Sequence, residues 1–460
     1  MRQIQTIVIF VFVAIFSPAI VGATNSQVHE YKLDNGLTLL VREDHRSPVV
    51  VSQVWYKVGS SYEFDGITGV SHVLEHMMFK GTDNHQPGEF SRIIASNGGR
   101  ENAFTGRDYT AYFQSLENSR LSISFELEAD RMRHLRLLED EFVKELQVVL
   151  EERRMRTDDQ PRSKTREHFL AMAYSNSPYK NPIIGWPSDI DNLNVDDLAA
   201  WYQRWYAPNN AIVVVAGDVI PDRVYALAKK YFGPLKPSEI DVQKPRKEIV
   251  QLGKREMVVK LPAKTPYLLM GYKVPVLLGI DREWEAYALE VLAGILDSGQ
   301  SARLSKNLVR GKQIAVSVGA GYDLYARLPS LFSISGTPIP GKTLEELEQA
   351  LKNEISQLQD KRVSEKELER VKARVVANAV YERDSVFYQA MQIGMLETVG
   401  LGWKKMDDYV ERVLSVTPAQ VRFVARKYLV DDRLSVAYLE PLPIDNSKPL
   451  RPQHGGRHGR

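Results

Sequence analysis

Two histidines and a glutamate fall within five positions of one another in the segment 69–79. Apolar residues fill most of the remaining positions, so we predict a helix that is buried on one side. Residues four apart lie on one helix face, and the imidazoles of His72 and His76 can therefore reach the same metal ion. Glu75 lies at the edge of that face, where its carboxylate can touch a water at the metal without being a ligand. The alternative is a helix with two surface histidines that bind nothing.

The order His-x-x-Glu-His is the inverse of the His-Glu-x-x-His zinc motif, which favours a catalytic metal over that alternative. A catalytic zinc needs a third protein ligand and an open position for water. Because the chain has no cysteine, this ligand must be Asp, Glu or another His. The predicted helix 140–156 offers Glu145 and Glu152, which are seven residues apart and so share a face. A solvated acidic helix is the alternative, and the residues alone leave the third ligand open.

The sequence around these residues resembles that of the pitrilysin-type (M16) metallopeptidases, and the resemblance covers about residues 28–440. It rests on Leu-Asp-Asn-Gly-Leu-Thr at 33–38, on His-Val-Leu-Glu-His-Met-Met-Phe-Lys-Gly-Thr at 72–82, on Glu-Asn-Ala-Phe-Thr at 101–105, on Pro-Tyr at 178–179, on Ile-Gly at 184–185 and on Ala-Gly-Asp at 216–218. The resemblance implies a zinc endopeptidase that cleaves peptides or unfolded segments by activating water.

The family pattern implies a role for each candidate residue. His72, His76 and Glu152 match its zinc ligands, since Glu152 follows His76 by 76 positions, and they imply one Zn²⁺ per chain. Glu75 matches the catalytic base and Glu145 a supporting catalytic carboxylate.

A short segment resembles the edge strand on which the family binds its substrate. An edge strand offers main-chain hydrogen bonds to an extended peptide. From the residues alone, an ordinary strand is an equally good interpretation. The segment consists of Asn102, Ala103, Phe104 and Thr105.

The second half departs from the family pattern. Members that work with a single kind of subunit carry an Arg and a Tyr seven positions apart, and an ungapped alignment places Val309 and Val316 there. The resemblance therefore implies the zinc-bearing subunit of a heteromer, whose homologous M16-like partner supplies the Arg and the Tyr. One alternative is that Arg310 or Arg303 substitutes locally. Another is a non-catalytic, zinc-binding structural subunit of a similar complex.

The two halves of the chain repeat one order of predicted elements. Tyr206 and Tyr428, which are 222 positions apart, each end a helix that leads through a polar turn into a strand. We predict an α+β fold with two homologous domains, each a mostly antiparallel sheet with helices packed on one face. The resemblance implies the LuxS/MPP-like version of this fold. The predicted strands are 37–41, 49–56, 211–216, 257–261, 267–272 and 434–439, and the first helices of the halves are 68–79 and 284–296.

The predicted domains are an N-terminal peptidase domain at 24–235, a linker at 236–247 and a C-terminal homologous domain without a zinc motif at 248–440. A segment rich in Pro, Gly, Arg and His at 441–460 is predicted to be disordered. Residues 1–23 have the layout of a secretory signal peptide: an early Arg2, an apolar run at 7–16 and small residues before Ala23. The run is short for a membrane anchor, which is the alternative.

The signal peptide predicts export, most simply to a bacterial periplasm, with no membrane span after its cleavage. The formal net charge is +2, from 60 Lys and Arg against 58 Asp and Glu. This balance gives no sign of nucleic-acid binding. The lack of cysteine excludes disulfide scaffolds, thiol catalysis and cysteine-ligated metal sites.

Overall fold

The computed structural model describes residues 27–240, 243–244 and 246–444. The predicted signal peptide at 1–23 and most of the predicted tail lie outside the described residues. Among the described residues, no helix combines the length and the apolar run that crossing a bilayer requires.

Each half of the chain forms one sheet, and the two sheets have the same strand order. The first runs β1-β2-β6-β3-β5-β4 and the second β7-β11-β8-β10-β9, so that only β1 lacks a counterpart. The pairs β2–β6 and β7–β11 are parallel, and the other pairs are antiparallel. The strands are β1 Val28–Lys32, β2 Thr38–Glu43, β3 Val49–Tyr56, β4 Arg100–Thr105, β5 Thr110–Glu117, β6 Ala211–Gly217, β7 Arg255–Pro262, β8 Tyr267–Val274, β9 Ala315–Gly321, β10 Ser330–Pro338 and β11 Leu434–Leu442.

Fourteen α-helices accompany these strands within the described part of the chain. They are α1 Val70–Met77, α2 Glu89–Ser96, α3 Leu121–Arg133, α4 Glu139–Arg153, α5 Pro161–Ala173, α6 Pro187–Asn192, α7 Val195–Trp205, α8 Pro221–Tyr231, α9 Glu283–Leu296, α10 Leu344–Asp360, α11 Glu365–Arg383, α12 Val386–Thr398, α13 Lys405–Ser415 and α14 Pro418–Tyr428. In the first half α1 packs against α4 and α7, and in the second half α9 packs against α11 and α14. The predicted α+β fold with two domains of the same architecture is confirmed.

The burial of a central strand indicates that helices cover both faces of its sheet. β6 is a continuous apolar run, Ala-Ile-Val-Val-Val-Ala-Gly, and every residue in it is buried. Such a run indicates a strand that is packed on both sides rather than one side. One face of each sheet carries helices of its own half, as predicted, and the other face is covered by a helix that comes from the other half.

These two crossing helices are α5 and α12. α5 lies on β7, β8 and β11 of the second sheet, and α12 lies on β3 and β6 of the first. The contacts are complementary: Phe169 of α5 lies against Gly271 of β8, whereas Trp55 of β3 lies against Gly394 of α12. A Cβ atom on Gly394 would lie 2.2 Å from the Trp55 ring, so this close approach requires glycine. The exchange fixes the two halves to each other.

The segment that joins the halves is irregular. Between the end of α8 and the start of β7, the described residues form no helix and no strand. The predicted domain limits 24–235, 236–247 and 248–440 stay predictions. β11 continues through Leu442, two residues into the segment predicted as a disordered tail, because its parallel pairing with β7 extends to Pro262.

Candidate metal centre

The start of α1 is fixed by groups from outside the helix. The Glu63 carboxylate accepts hydrogen bonds from the backbone N–H groups of Gly69 and Ser71, at 2.8 and 2.9 Å. A helix N-terminus exposes unpaired N–H groups and a partial positive charge, and a buried carboxylate satisfies both. Gly69 has a φ of 94°, and a Cβ there would lie 2.7 Å from the carbonyl oxygen of Ile184. The N-terminal turn of α1 is therefore held in one position.

Three side chains of α1 and α4 converge where these helices meet. The Nε2 atoms of His72 and His76 lie 3.9 and 3.4 Å from the same oxygen, Oε2 of Glu152. One donor atom from each residue lies within 4.8 Å of the other two, and this is the one such group of three or more possible metal ligands in the described residues. All three side chains are largely buried. The structure thus brings together the three residues that the sequence predicted as ligands.

The donor set fits a zinc ion. Two imidazole nitrogens and a carboxylate oxygen are the ligands of many catalytic zinc sites, which keep a fourth position open. His76 Nδ1 lies 3.2 Å from Glu145 Oε2, and this contact leaves the other ring nitrogen, Nε2, directed towards Glu152. The Nδ1 atom of His72 is buried and has no hydrogen-bond partner among the described residues.

The electrostatics of the group favour a cation. Burial works against a charge on His76, but hydrogen bonds to Glu145 and Glu152 outweigh it and raise the pKa of this imidazole to about 9. Burial and the charge of His76 lower the pKa of His72 to about 4. Against the effect of burial, His76 and His72 lower the pKa of Glu152 to about 2. The carboxylates therefore stabilise one positive charge here, which a proton or a metal ion can supply.

Glu75 lies beside the group and points to β4. Its Oε2 accepts a hydrogen bond of 2.5 Å from the Thr105 hydroxyl. Burial raises the pKa of the Glu75 carboxyl above its usual value. A carboxylate with a raised pKa is better matched to accepting and returning a proton near neutral pH.

Two further cations lie beside the carboxylates of Glu145 and Glu152. Lys80 Nζ lies 2.5 Å from Oε1 of Glu145, and Arg156 Nη1 lies 2.5 Å from Oε1 of Glu152. Each carboxylate thus faces a histidine with one oxygen and a cation with the other. Lys80 lies three residues beyond the end of α1, so helical spacing from His76 could not have identified it.

The predicted substrate segment forms β4, which is the edge strand of the first sheet. β4 pairs with β5 on one side and with no other described strand. Thr105 contacts Glu75 as described above, and Asn102 uses its side-chain oxygen to accept a hydrogen bond from the N–H of Ala103. The free edge therefore runs beside the carboxylate of Glu75.

The two positions of the missing Arg and Tyr hold valines, whose side chains offer no hydrogen-bond donor. Val309 packs against the apolar core of the second half, and Val316 is 58% exposed on β9. Arg303 is paired with Glu367 through two hydrogen bonds of 2.8 and 2.7 Å. Arg310 donates a hydrogen bond to the backbone oxygen of Gln300.

Comparison with known proteins shows which family the chain resembles. Residues 38–186 match the family model described as Insulinase (Peptidase family M16), and residues 192–375 match the model described as Peptidase M16 inactive domain. The zinc protease PqqE of Helicobacter pylori is 34% identical over 417 residues, which cover 89% of this chain and 92% of the relative.

Solved structures give the same result for the fold. A protease from Helicobacter pylori superimposes with a TM-score of 0.86 at 32% identity and covers 90% of this chain and all of its own. The periplasmic protease PqqL from Escherichia coli is 17% identical and has a TM-score of 0.76, and the match covers 91% of this chain but 49% of that one. Its likeness concerns the fold alone.

The strand order of the two sheets, the match to a zinc protease over 89% of the chain and the two family models agree, and the chain belongs to peptidase family M16.

Proposed function

We propose that the chain is a zinc-dependent endopeptidase in which His72, His76 and Glu152 hold one Zn²⁺ and Glu75 is the general base. The observation that carries the proposal is the convergence of three ligand atoms within 4.8 Å beside a free strand edge. The similarity to proteins described as zinc proteases supports the metal and the reaction class.

In this proposal the metal, Glu75, Thr105 and Glu145 have different roles in the reaction. Bound zinc supplies Lewis acidity, which polarises a carbonyl and makes water easier to deprotonate. Glu75 takes the proton of the attacking water and returns it to the amine that leaves. The Thr105 hydroxyl donates to Oε2 of Glu75, and this contact orients the carboxylate and leaves Oε1 without a hydrogen bond from Thr105. Glu145 acts through His76, whose Nδ1 it orients, and it therefore positions a ligand.

The proposed substrates are peptides or unfolded segments. An edge strand recognises an extended backbone through main-chain hydrogen bonds, whatever side chains that backbone carries. A folded protein rarely offers such a backbone, because its strands are already paired. The free edge of β4 beside Glu75 supports this substrate class.

We further propose that the chain works with a homologous M16-like subunit that supplies the missing Arg and Tyr. The engagement of Arg303 with Glu367 and the apolar surroundings of Val309 support this proposal, since neither offers a donor to a developing oxyanion.

The proposed location is a bacterial periplasm. The signal-like sequence at 1–23 supports it, and so does the similarity to a protease that is described as periplasmic. Fractionation of cells followed by N-terminal sequencing tests it. The proposal expects a periplasmic protein that begins after Ala23, and a cytoplasmic protein that retains Met1 would contradict it.

Cleavage of a quenched peptide library by the purified chain tests the reaction, with Glu75→Gln as the control. The chain is assayed alone and together with an M16-like chain that carries the Arg and the Tyr. Zinc-dependent cleavage that disappears in Glu75→Gln supports the endopeptidase, and cleavage only in the mixture supports the heteromer. Zinc binding without cleavage in either case would favour a non-catalytic structural subunit, an alternative that the match to an inactive-domain model keeps open.

A further inference from the structure

A cavity of about 590 Å³ lies between the two halves of the chain. Its walls come from the β4–β5 turn, from the crossing helices α5 and α12, and from β8, β9 and β10 of the second sheet. It is therefore built from both domains and from both exchanged helices. Tyrosine and phenylalanine side chains, including Tyr109, Tyr174 and Phe169, form much of the wall.

Two arginines line this cavity without a direct hydrogen bond or ion pair to an acidic side chain. Neither Arg107 nor Arg166 makes an ion pair or a hydrogen bond through its side chain to another described residue. Arg107 lies over the ring of Tyr179, with its guanidinium carbon 4.9 Å from the ring centroid, and its Nε is buried and unpaired. Arg166 lies on the cavity side of α5, where its surface is open to the solvent of the cavity but the surrounding protein atoms are dense. Burial and the nearby charge of Arg107 lower the pKa of Arg166, as expected when two cations share a confined space.

The three aspartates of the cavity wall accept hydrogen bonds from donors other than the two arginines. Asp108 accepts hydrogen bonds from Ser61 and Arg327, at 2.7 and 2.9 Å, and from the Tyr179 hydroxyl. Asp297 and Asp323 each accept a backbone N–H, at 3.2 and 3.1 Å. Burial raises the pKa of Asp323, and the charge of Arg107 opposes that rise.

The cavity adjoins the proposed cleavage site along the chain. Arg107 follows Thr105 by two residues, a span of at most about 7 Å between Cα atoms. Thr105 contacts Glu75, so an extended peptide on the free edge of β4 that passes this carboxylate also reaches the turn that carries Arg107.

From this arrangement we infer that the cavity is a substrate subsite that binds a carboxylate of the peptide through Arg107 and Arg166. The inference rests on the proposed peptidase function and names a specificity for it. A guanidinium binds a carboxylate through paired, charge-assisted hydrogen bonds, and a peptide carboxylate here would neutralise the repulsion between the two arginines. The carboxylate can belong to an Asp or Glu side chain or to the C-terminus of the peptide.

Competitive cleavage of matched peptides tests this subsite. One peptide set moves a single Glu through successive positions of a neutral sequence, with Gln at the same positions as the reference. A second set compares a free C-terminus with its amide. The inference expects one favoured position or terminus, with kcat/KM raised roughly tenfold or more, which is the effect of one charge-assisted hydrogen bond.

Arginine variants connect that preference to the cavity. Arg166→Gln and Arg107→Gln are each expected to reduce it, and Arg166→Glu is expected to favour Lys in place of Glu. Arg162→Gln is the matched control, because Arg162 lies one turn away on α5, does not line the cavity and donates to Thr337. A preference that is absent in the unchanged chain, or that survives both Gln variants, overturns the inference. Thermal unfolding of each variant shows whether it is folded.

A binding measurement separates the two proposals. The zinc-loaded Glu75→Gln variant is titrated with a fluorescent acidic peptide and its neutral counterpart. Tighter binding of the acidic peptide that depends on Arg166, without cleavage of any peptide by the unchanged chain, would contradict the peptidase proposal and keep the subsite. Cleavage of acidic and neutral peptides at equal rates would contradict the subsite alone. Equal binding and no cleavage would contradict both.

Discussion

Helix α1 of the first half and helix α9 of the second half have the same position in their domains, but their contacts differ in chemistry. Where α1 meets α4, two imidazoles face the carboxylate of Glu152. Where α9 meets α11, Gly294 faces Val371 and Val375, and a Cβ on this glycine would lie 2.9 Å from Val371. The fold supplies a close helix–helix contact in both halves, and the side chains decide whether it gathers possible metal ligands or forms apolar core.

The difference has an energetic side. An apolar helix contact stabilises its domain directly through burial. A buried cluster of imidazoles and carboxylates is stable only when its charges are balanced, here by Lys80, by Arg156 and, in the proposed function, by a zinc ion. If the proposed zinc site is correct, the first half depends on a metal in a way that the second does not.

The largest expected effect is the loss of the metal from the first half. His72→Ala and Glu152→Ala each remove one of three ligands, so we expect no stoichiometric zinc and no cleavage. The unchanged chain should also gain about 2.7 kcal/mol of unfolding free energy at a hundredfold excess of zinc over its Kd, and the variants should not. Metal analysis and thermal unfolding with and without zinc measure this. His168→Ala, an exposed histidine on α5, is the control, and zinc-dependent stabilisation of Glu152→Ala would contradict the ligand assignment.

The next largest effect concerns α5, the helix of the first half that packs on the second sheet. Phe169→Ala removes a buried ring from the contact with Gly271, and we expect a loss of about 3–5 kcal/mol of unfolding free energy. Urea unfolding measures it, and Phe64→Ala, at a side chain that is 51% exposed, is the control. Equal stability of the two variants would mean that the crossing helix is not part of the folded core.

A smaller effect is expected behind the ligands. Glu145→Gln weakens the partner of His76 Nδ1 and the ion pair with Lys80, so we expect zinc affinity to fall roughly ten- to a hundredfold. Competition with a zinc chelator measures the affinity. Glu151→Gln changes an exposed carboxylate on the same helix and should leave it unchanged. Equal zinc affinities in Glu145→Gln and Glu151→Gln would show that Glu145 does not support the metal centre.

The smallest effect is expected at the apolar counterpart of the centre. Val371→Ala opens the contact with Gly294, and we expect a loss of about 2 kcal/mol of unfolding free energy without any change in zinc content. Val250→Ala, at a side chain that is 80% exposed, is the control for stability. A change in zinc content in Val371→Ala would show that the two halves are coupled through their cores.

Local sequence signals predicted much of this architecture. The strands at 49–56, 211–216 and 267–272 follow from runs of β-branched and aromatic residues, and the structure has them within two residues. The spacing of His72 and His76 predicted a shared face because four residues make about one helical turn. These features depend on neighbours in the chain, and so they can be read from it.

Contacts between residues far apart in the chain could not be predicted from local sequence signals. The exchange of α5 and α12 pairs Phe169 with Gly271 and Trp55 with Gly394, across separations that no local periodicity encodes. Glu152 was selected by family resemblance, because helical spacing alone could not say which acidic face of α4 meets α1.

Titration of the zinc-free chain with Zn²⁺, with cleavage of a peptide followed at each step, tests the central claim most directly. The partner subunit is present if cleavage requires it, and Glu75→Gln is titrated in parallel. We expect cleavage to rise up to one equivalent of zinc and then to stay constant. We expect Glu75→Gln to bind the same equivalent of zinc and to cleave roughly 10²–10⁴-fold more slowly, which is the contribution of a general base. An undiminished rate in Glu75→Gln, or activity that needs no zinc, would contradict the roles of the metal and of Glu75.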